Sequence, residues 1–281
     1  MEKPKGGGWA SFAIGPGLQC IEAATLGMPF EVWKTRMGRF RTESTGEAFM
    51  NVYRQKGIAG FWAGTGAKMV ESSLKGAILM YAKEGINDSA LAAGIAPFPA
   101  GVLAGAGGGI SQVTIMGPCT FLVTGAVNGD ASESTMQRAK RTYAARGIKG
   151  FYPGGTAIAF RQATNWASRQ GFTELVRDKM KVMKHGDAKH KLTKWEEAQC
   201  GIIGGVMACW NHPFEVARIE MQTRGDAGQK AMSMVGVFRM IIAENGVGGL
   251  FTGIIPRVGL GIWQTLFMVT GAKIVRDMIE N

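Results

Sequence analysis

A long stretch of the chain carries no charge. From Ser89 to Gly129 there is no Asp, Glu, Lys or Arg. About 20 consecutive apolar residues are enough for a helix to cross a bilayer, so this stretch could supply one span. Small residues such as Gly101, Gly105 and Gly109 recur along it, and they allow membrane helices to approach each other closely. The pattern favours a bundle of membrane helices over a glycine-rich soluble α/β enzyme.

A short pattern of glycine and aromatic residues occurs three times. The three segments that share it are Gly57–Gly64, Gly147–Gly154 and Gly246–Gly253. Each has glycines at its first, fourth and eighth positions, with an aromatic residue in between. The closing glycines are spaced by 90 and then 99 residues. Self-similarity at such a period predicts a protein built from repeats.

A proline precedes each of these segments by a similar distance. Pro29, Pro118 and Pro213 lie 35, 36 and 40 residues before the three closing glycines. The sequence after Pro29 is Phe-Glu-Val-Trp-Lys and that after Pro213 is Phe-Glu-Val-Ala-Arg, whereas the residues after Pro118 keep neither charge. A proline inside a helix removes a hydrogen bond and kinks the helix. Each repeat is therefore expected to contain a helix that its proline interrupts.

These landmarks predict an all-α membrane protein with six transmembrane helices in three pseudo-threefold repeats. We take residues 1–281 as a single domain, with repeats over 9–88, 96–185 and 194–281. The first helices of the repeats are predicted near 9–37, 96–127 and 195–223, and the second begin near the three closing glycines. Short amphipathic helices, such as Thr45–Gln55 and Met232–Ala243, are expected between them on one side of the membrane.

The net charge of +11 fits loops that face anionic lipid, an anionic substrate or nucleic acid. The four cysteines form no CxxC pair and the three histidines lie apart from any nucleophile arrangement. Neither a phosphate-binding loop ending in Gly-Lys-Ser/Thr nor a nucleophile with its base is present. We therefore expect no enzyme activity, no metal site and no cofactor. Residues 1–8 lack the features of a leader sequence, so a mitochondrial address would be internal.

Positions equidistant from the three closing glycines should face one another around a threefold axis. The residues found four, seven and eleven positions beyond these glycines are Lys68, Ile158 and Arg257; Glu71, Arg161 and Leu260; and Lys75, Asn165 and Gln264. Ionisable groups inside spanning helices are costly and normally mark a pathway. Arginine presents a planar fork to a carboxylate, so Lys75, Arg161 and Arg257 are the best candidates to bind an anion with two or three carboxylates.

A proline, one residue, an acid, two residues and a base, repeated about every hundred residues, resembles the signature of the mitochondrial carrier family. The resemblance covers essentially the whole chain. It implies a multi-pass protein of the mitochondrial inner membrane with bound cardiolipin, short helices on the matrix side and transport by alternating access. It also implies a matrix gate formed by Pro29, Glu31, Lys34, Pro118, Pro213, Glu215 and Arg218. In the family's pairing order Glu215 meets Lys34, Glu31 faces Val123 and Arg218 faces Thr120, so two of three ionic links are lost.

Segments around Glu71, Arg161, His212 and Arg257 are similar to those of the citrate–oxoglutarate branch of the family. This similarity implies exchange of citrate for 2-oxoglutarate, with substrate contacts at Glu71, Lys75, Leu79, Arg161, Gln162 and Arg257. Three alternatives stay open. The chain could be a structural subunit of a membrane assembly such as a respiratory complex. Its basic segment from Lys179 to Lys194 could bind mitochondrial DNA or lipid headgroups. A nucleotide substrate is also possible, because Trp166 and Trp263 could stack on a base.

Overall fold

The structure is a computed structural model that describes residues 16–130, 132–187 and 190–280. Over these residues every regular element is helical, which confirms the prediction of an all-α protein. The predicted start of the first helix at residues 9–15 and the last residue of the third repeat lie outside the described residues.

The helices follow the same order in each repeat. The first repeat contains helical residues 16–22, a π-helical turn Ala23–Gly27, α1 (Met28–Arg39), α2 (Thr45–Lys56), a 3-10 turn Ile58–Trp62 and α3 (Thr65–Ala92). The second contains α4 (Pro97–Ser111), α5 (Val113–Asn128), α6 (Thr135–Arg146), a 3-10 turn Ile148–Phe151 and α7 (Gly155–His185). The third contains α8 (Lys194–Met207), a 3-10 turn Ala208–Asn211, α9 (His212–Asp226), α10 (Met234–Asn245), a 3-10 turn Val247–Phe251 and α11 (Ile254–Glu280).

The first helix of each repeat breaks before its proline rather than at it. Thr25, four residues before Pro29, has φ −90° and ψ −119°. In the second repeat α4 and α5 meet at Gln112 with a bend of 42°. In the third the 3-10 turn Ala208–Asn211 precedes Pro213. A proline ring clashes with the carbonyl four residues earlier and cannot bond to it, so the distortion falls one turn upstream of the position that the sequence predicts.

Aromatic donors occupy carbonyls that these breaks set free. The indole Nε1 of Trp62 donates to the carbonyl of Ala24 at 2.7 Å, and the hydroxyl of Tyr152 donates to that of Thr114 at 2.9 Å. Thr114 is the residue four positions before Pro118, whose missing N–H leaves that carbonyl without its helical partner. In the first and second repeats, the aromatic residue of the Gly–aromatic segment therefore fastens the end of the short amphipathic region to the broken helix of its own repeat.

The three closing glycines join the repeats into a ring. A Cβ on Gly64 would lie 3.0 Å from the Cα of Val123, one on Gly154 3.2 Å from the carbonyl oxygen of Arg218, and one on Gly253 3.1 Å from that of Lys34. These three partners are the residues five positions after the three prolines. Repeat one thus contacts repeat two, repeat two contacts repeat three, and repeat three contacts repeat one, as a threefold arrangement requires.

Substitution of a closing glycine is expected to destabilise this ring. Gly64 has a φ of +85°, where a side chain costs about 1–2 kcal/mol, and its Cβ would press on the backbone of the next repeat. Gly64→Ala should therefore lower the unfolding temperature in detergent. Gly66→Ala is the matched control, because Gly66 lies inside α3 with no atom within 4 Å of an added Cβ. Equal unfolding temperatures for the two variants would contradict the ring contact.

The distribution of polarity is inverted relative to that of a water-soluble protein. Large apolar side chains such as Met80 and Ile255 are 61% and 60% exposed, whereas Glu215 and Arg218 are 2% and 1% exposed. By length and apolar composition alone, one described stretch, Val247–Gly271, is able to cross a bilayer, and the bent pair α4–α5 would make a second span. The charged residues that face the interior lower the hydropathy of the other helices. The count of six spans stays a prediction.

Candidate functional site

A cavity of about 240 Å³ lies between the inner helices of the three repeats and is lined mostly by polar side chains. Every position expected from the threefold spacing lines it except Ile158, which is fully buried in the protein core instead. Of the six predicted substrate contacts, the five that line the cavity are Glu71, Lys75, Arg161, Gln162 and Arg257. Their role as contacts stays a prediction, but the fold brings these five together from all three repeats.

Leu79 is placed elsewhere. Its side chain is 9% exposed and does not belong to the cavity lining. A Cβ on Gly108 would lie 3.1 Å from the Cδ1 atom of Leu79, so this leucine packs in the interface between α3 and α4. Leu79 is two helical turns beyond Glu71, but its direction is set by the close approach of a glycine-rich helix, which residue spacing within α3 does not reveal.

Four charged side chains from the first and third repeats form a compact cluster at one end of the cavity. Lys34 Nζ lies 2.8 Å from Glu31 Oε2 and 2.8 Å from Glu215 Oε1. Arg218 Nη2 lies 2.8 Å from Glu215 and 4.0 Å from Glu31. All four side chains are at most 7% exposed. The pair between Lys34 and Glu215 is the one that the family's order implies, and the cluster closes this end of the cavity to water.

The second repeat contributes neutral groups to this cluster. Arg218 does not face Thr120 as expected; it donates to the hydroxyl of Thr124, one turn further on, at 3.2 Å. Thr120 accepts instead from the amide of Gln222 at 2.8 Å, and Gln222 in turn accepts from Arg218 at 2.6 Å. Val123 packs against Gly64. The hydroxyls of Thr120 and Thr124 on the second repeat, together with the amide of Gln222 on the third, therefore provide neutral partners where the second repeat has no acid or base.

A second tier of contacts joins the repeats on the side of the short helices α2, α6 and α10. Arg41 lies 3.0 Å from Glu220, which links the first repeat to the third. Lys56 donates to the carbonyl of Ala126 at 2.6 Å, which links the first to the second. The second and third are linked by Arg138 and Arg141, which both contact Asp226. The hydrogen bond from Arg141 also lowers the pKa of Glu133. These contacts hold the three repeats together next to the charged cluster, to which the second repeat contributes no charged group.

The cluster is continuous with the predicted substrate contacts. Arg161 Nε lies 3.1 Å from Glu215 Oε2, although the pair is not aligned as a hydrogen bond. Lys68 lies 3.1 Å from Glu71 and 4.0 Å from Glu31. Glu71 is also 4.0 Å from Lys75, so the pair expected from their spacing is present but Lys68 is closer. A negative charge that binds Arg161 or Lys68 will therefore weaken the attraction of that cation for the glutamates of the cluster.

Gln162 is held by a residue that the sequence did not indicate. Its amide donates to Gln112, which also accepts from the indole of Trp166 at 3.2 Å and donates to the carbonyl of Lys75 at 2.9 Å. Gln112 stands at the break between α4 and α5 and is 3% exposed. It thereby ties the second-repeat contact to the helix that carries Lys75.

Arg257 is held by two neutral groups on the third repeat. Its Nη2 donates to Asn211 Oδ1, and its Nη1 lies 3.2 Å from His212 Nδ1. No carboxylate among the described residues lies within 4.0 Å of this guanidinium. Its charge is oriented by the protein but is not neutralised by a direct partner.

Arg169 also lines the cavity and was not among the predicted contacts. Its burial is intermediate, and it forms neither an ion pair nor a hydrogen bond with the described residues. The signal that could have found it is periodic: Arg161, Asn165 and Arg169 follow at intervals of four, which places them on one face of a helix. Gln112, Asn211 and His212 have no such signal, because they lie at the breaks that precede the prolines.

The basic segment from Lys179 to Lys194 begins in the last turns of α7 and ends at the first residue of α8. α7 has 31 residues and is about 46 Å long at 1.5 Å per residue. Gly154 and the short helix α6 lie at its other end. Within the segment Lys184 pairs with Glu196, and His185 lies 3.1 Å from the same carboxylate. The segment is therefore at the end of the bundle remote from the short helices.

Comparisons with known proteins agree in the family they point to. The family model described as "Mitochondrial carrier protein" matches residues 6–91, 95–184 and 190–281. The chain is 34% identical to the "Citrate/oxoglutarate carrier protein" of Saccharomyces cerevisiae, over 97% of this chain and 91% of that protein. It is 30% identical to "Mitochondrial substrate carrier family protein Z" of Dictyostelium discoideum, over 57% and 52%. It is 28% identical to an "ADP,ATP carrier protein" of Kluyveromyces lactis, over 46% and 44%.

Proposed function

The chain belongs to the mitochondrial carrier family, and from that premise we propose that it exchanges citrate for 2-oxoglutarate across the mitochondrial inner membrane. Proteins of this family are transporters of that membrane rather than enzymes. The similarity to a citrate/oxoglutarate carrier extends over 97% of the chain, which supports the choice of substrates. The same premise supports six membrane spans, short helices on the matrix side and bound cardiolipin.

The observation that carries the proposal is the surplus of positive charge in the cavity. Among the described residues, seven cations line it, against three carboxylates. The cations are Lys34, Lys68, Lys75, Arg161, Arg169, Arg218 and Arg257, and the carboxylates are Glu31, Glu71 and Glu215. Uncompensated charge inside a membrane protein is costly, so the surplus favours an anion with several negative charges. Citrate brings three carboxylates and 2-oxoglutarate brings two.

The size of the cavity points in the same direction. Pockets for drug-sized ligands typically enclose about 300–1,000 Å³, and this one encloses about 240 Å³. A small carboxylic acid suits that volume better than a nucleotide does.

The contacts suggest how binding is coupled to opening. In this structure Glu215 is shared by Lys34, Arg218 and Arg161. A substrate carboxylate that binds Arg161 removes one of the three cations that hold Glu215. The cluster at the closed end is then held less tightly, while the attraction between Arg161 and the substrate compensates for the lost attraction between Arg161 and Glu215. Only such a difference in affinity between the closed and opening states can shift the equilibrium between them.

Exchange in proteoliposomes tests the proposal. Vesicles loaded with unlabelled 2-oxoglutarate should take up labelled citrate, and empty vesicles should not, because obligatory exchange requires a counter-substrate. Vesicles loaded with ADP provide the comparison with a nucleotide. The proposal fails if folded protein shows no dependence on internal 2-oxoglutarate, or if ADP drives uptake better than either acid does.

A further inference from the structure

The third repeat carries a polar pair where the other two repeats have none. The two residues before Pro213 are Asn211 and His212, both fully buried. The corresponding pairs are Gly27 and Met28 before Pro29, and Met116 and Gly117 before Pro118. None of these four has a side chain that forms ordinary hydrogen bonds. A buried asparagine and histidine require partners, and their partners show what the pair does.

The contacts of His212 determine its protonation. Its Nε2 lies 2.9 Å from the carbonyl oxygen of Thr252, which can only accept, so Nε2 carries the hydrogen. Its Nδ1 lies 3.2 Å from Nη1 of Arg257, which can only donate, so Nδ1 is the acceptor. The two contacts together select the neutral tautomer with hydrogen on Nε2. The carbonyl of Thr252 thus orients an imidazole lone pair toward Arg257.

Asn211 connects two of the predicted substrate contacts. Its Oδ1 accepts from Nη2 of Arg257. Its Nδ2 lies 3.3 Å from the carbonyl oxygen of Arg161 and 3.2 Å from the hydroxyl of Thr164. Asn211, in the 3-10 turn that precedes α9, therefore holds both the guanidinium of Arg257 on α11 and the backbone of α7 at Arg161. The relative positions of the two arginines depend on it.

We propose that Asn211 and His212 are positioning residues that fix the guanidinium of Arg257 at a set spacing from Arg161, and that this spacing selects among carboxylic acids. The inference rests on the proposed transport function and identifies what sets its specificity. Neutral acceptors hold Arg257 without competing for its charge, whereas a carboxylate in their place would pair with it. Preorganising a side chain removes the cost of ordering it when the substrate binds.

Two conservative variants of His212 separate this role from a structural one. In His212→Asn the amide oxygen can replace Nδ1 and still accept from Arg257, while the bond to Thr252 is lost. In His212→Gln the amide nitrogen can replace Nε2 and keep the bond to Thr252, while the acceptor facing Arg257 is lost. We expect His212→Asn to keep the KM for citrate within about threefold of wild type, and His212→Gln to raise it at least about tenfold, equivalent to about 1.4 kcal/mol.

The test uses the wild type, both His212 variants, Arg257→Ala and the double variant His212→Gln with Arg257→Ala in the exchange assay. Because His212 acts through Arg257, the double variant should have the same KM as Arg257→Ala alone. The ratio of KM values for citrate and 2-oxoglutarate should change in His212→Gln, since the spacing of the arginines is no longer held. Asn211→Asp, which places a carboxylate beside Arg257, should also raise the KM.

Different failures have different meanings. A wild-type protein that exchanges neither acid overturns the proposed function, and the inference falls with it. Exchange by the wild type, combined with a larger defect in His212→Asn than in His212→Gln, shows that His212 serves the Thr252 contact and overturns the inference alone. Additive effects of the His212 and Arg257 substitutions on KM would overturn it as well.

Discussion

Arg161→Ala should abolish measurable exchange while the protein still assembles. Arg161 lines the cavity and lies 3.1 Å from Glu215 in the closed cluster. Its loss removes a planar fork for a substrate carboxylate and the contact that couples binding to opening. Truncating one partner of a buried charged pair costs about 2–5 kcal/mol, which corresponds to a loss of at least about 30-fold in transport efficiency. Initial rates of labelled citrate uptake measure it.

Two substitutions on α7 serve as controls for Arg161. Arg161→Lys keeps the charge but not the fork, and we expect it to retain partial exchange with a raised KM. Arg177→Ala removes an arginine near the far end of the same helix, which pairs with Glu174 and Glu197 outside the cavity lining. Its KM should equal that of the wild type. Unchanged exchange by Arg161→Ala would remove this residue from the site.

Glu215→Gln is expected to destabilise the folded protein more than other substitutions of single acids. Three cations lie within 3.1 Å of this carboxylate, and its side chain is 3% exposed. Neutralising it leaves Lys34, Arg218 and Arg161 close together without their shared partner. Breaking a buried charge network by removing one partner costs about 3–5 kcal/mol. The unfolding temperature in detergent, followed by tryptophan fluorescence, should fall by several degrees.

Glu174→Gln is the matched control for Glu215→Gln. Glu174 also pairs with an arginine, but its side chain is 52% exposed, and exposed ion pairs contribute about 0–1 kcal/mol. Its unfolding temperature should stay close to that of the wild type. If Lys34→Gln is added to Glu215→Gln, part of the lost stability should return, because fewer unpaired cations remain. Equal unfolding temperatures for the two glutamate variants would show that the buried cluster does not hold the closed end.

The closed cluster illustrates how far the sequence reaches. The repeated proline, acid and base pointed to the family, whose pairing order implied the contact between Lys34 and Glu215 that the structure contains at 2.8 Å. The same reasoning paired Arg218 with Thr120, and the structure instead has Arg218 bonded to Thr124 and Gln222. Because Thr120 is neutral, the sequence does not fix which nearby acceptor the long side chain of Arg218 will bind. The choice depends on side chains from another helix that lie within reach.

The predicted contacts show the same division. Equal distances from three glycines correctly grouped Glu71, Arg161, Lys75 and Arg257 around one cavity, since helical rise and twist are the same in every repeat. Ile158 and Leu79 do not line this cavity: Ile158 is fully buried, and Leu79 packs against Gly108 between α3 and α4. Arg169 was missed although the spacing from Arg161 allowed for it.

The sequence alone determined the repeats, the helical class, the positions of the kinks to within a turn and the family. These properties follow from backbone restrictions at proline and glycine and from the periodicity of charge, all of which are local to the chain. Only the tertiary structure decided that Glu215 is shared by three cations, that Gln112 holds Gln162, and that Asn211 and His212 hold Arg257. Apart from the pair of Arg218 and Glu215 within α9, each of these contacts joins side chains from different elements. They exist only after the ring of repeats has closed, because closure sets which side chains come within hydrogen-bonding distance.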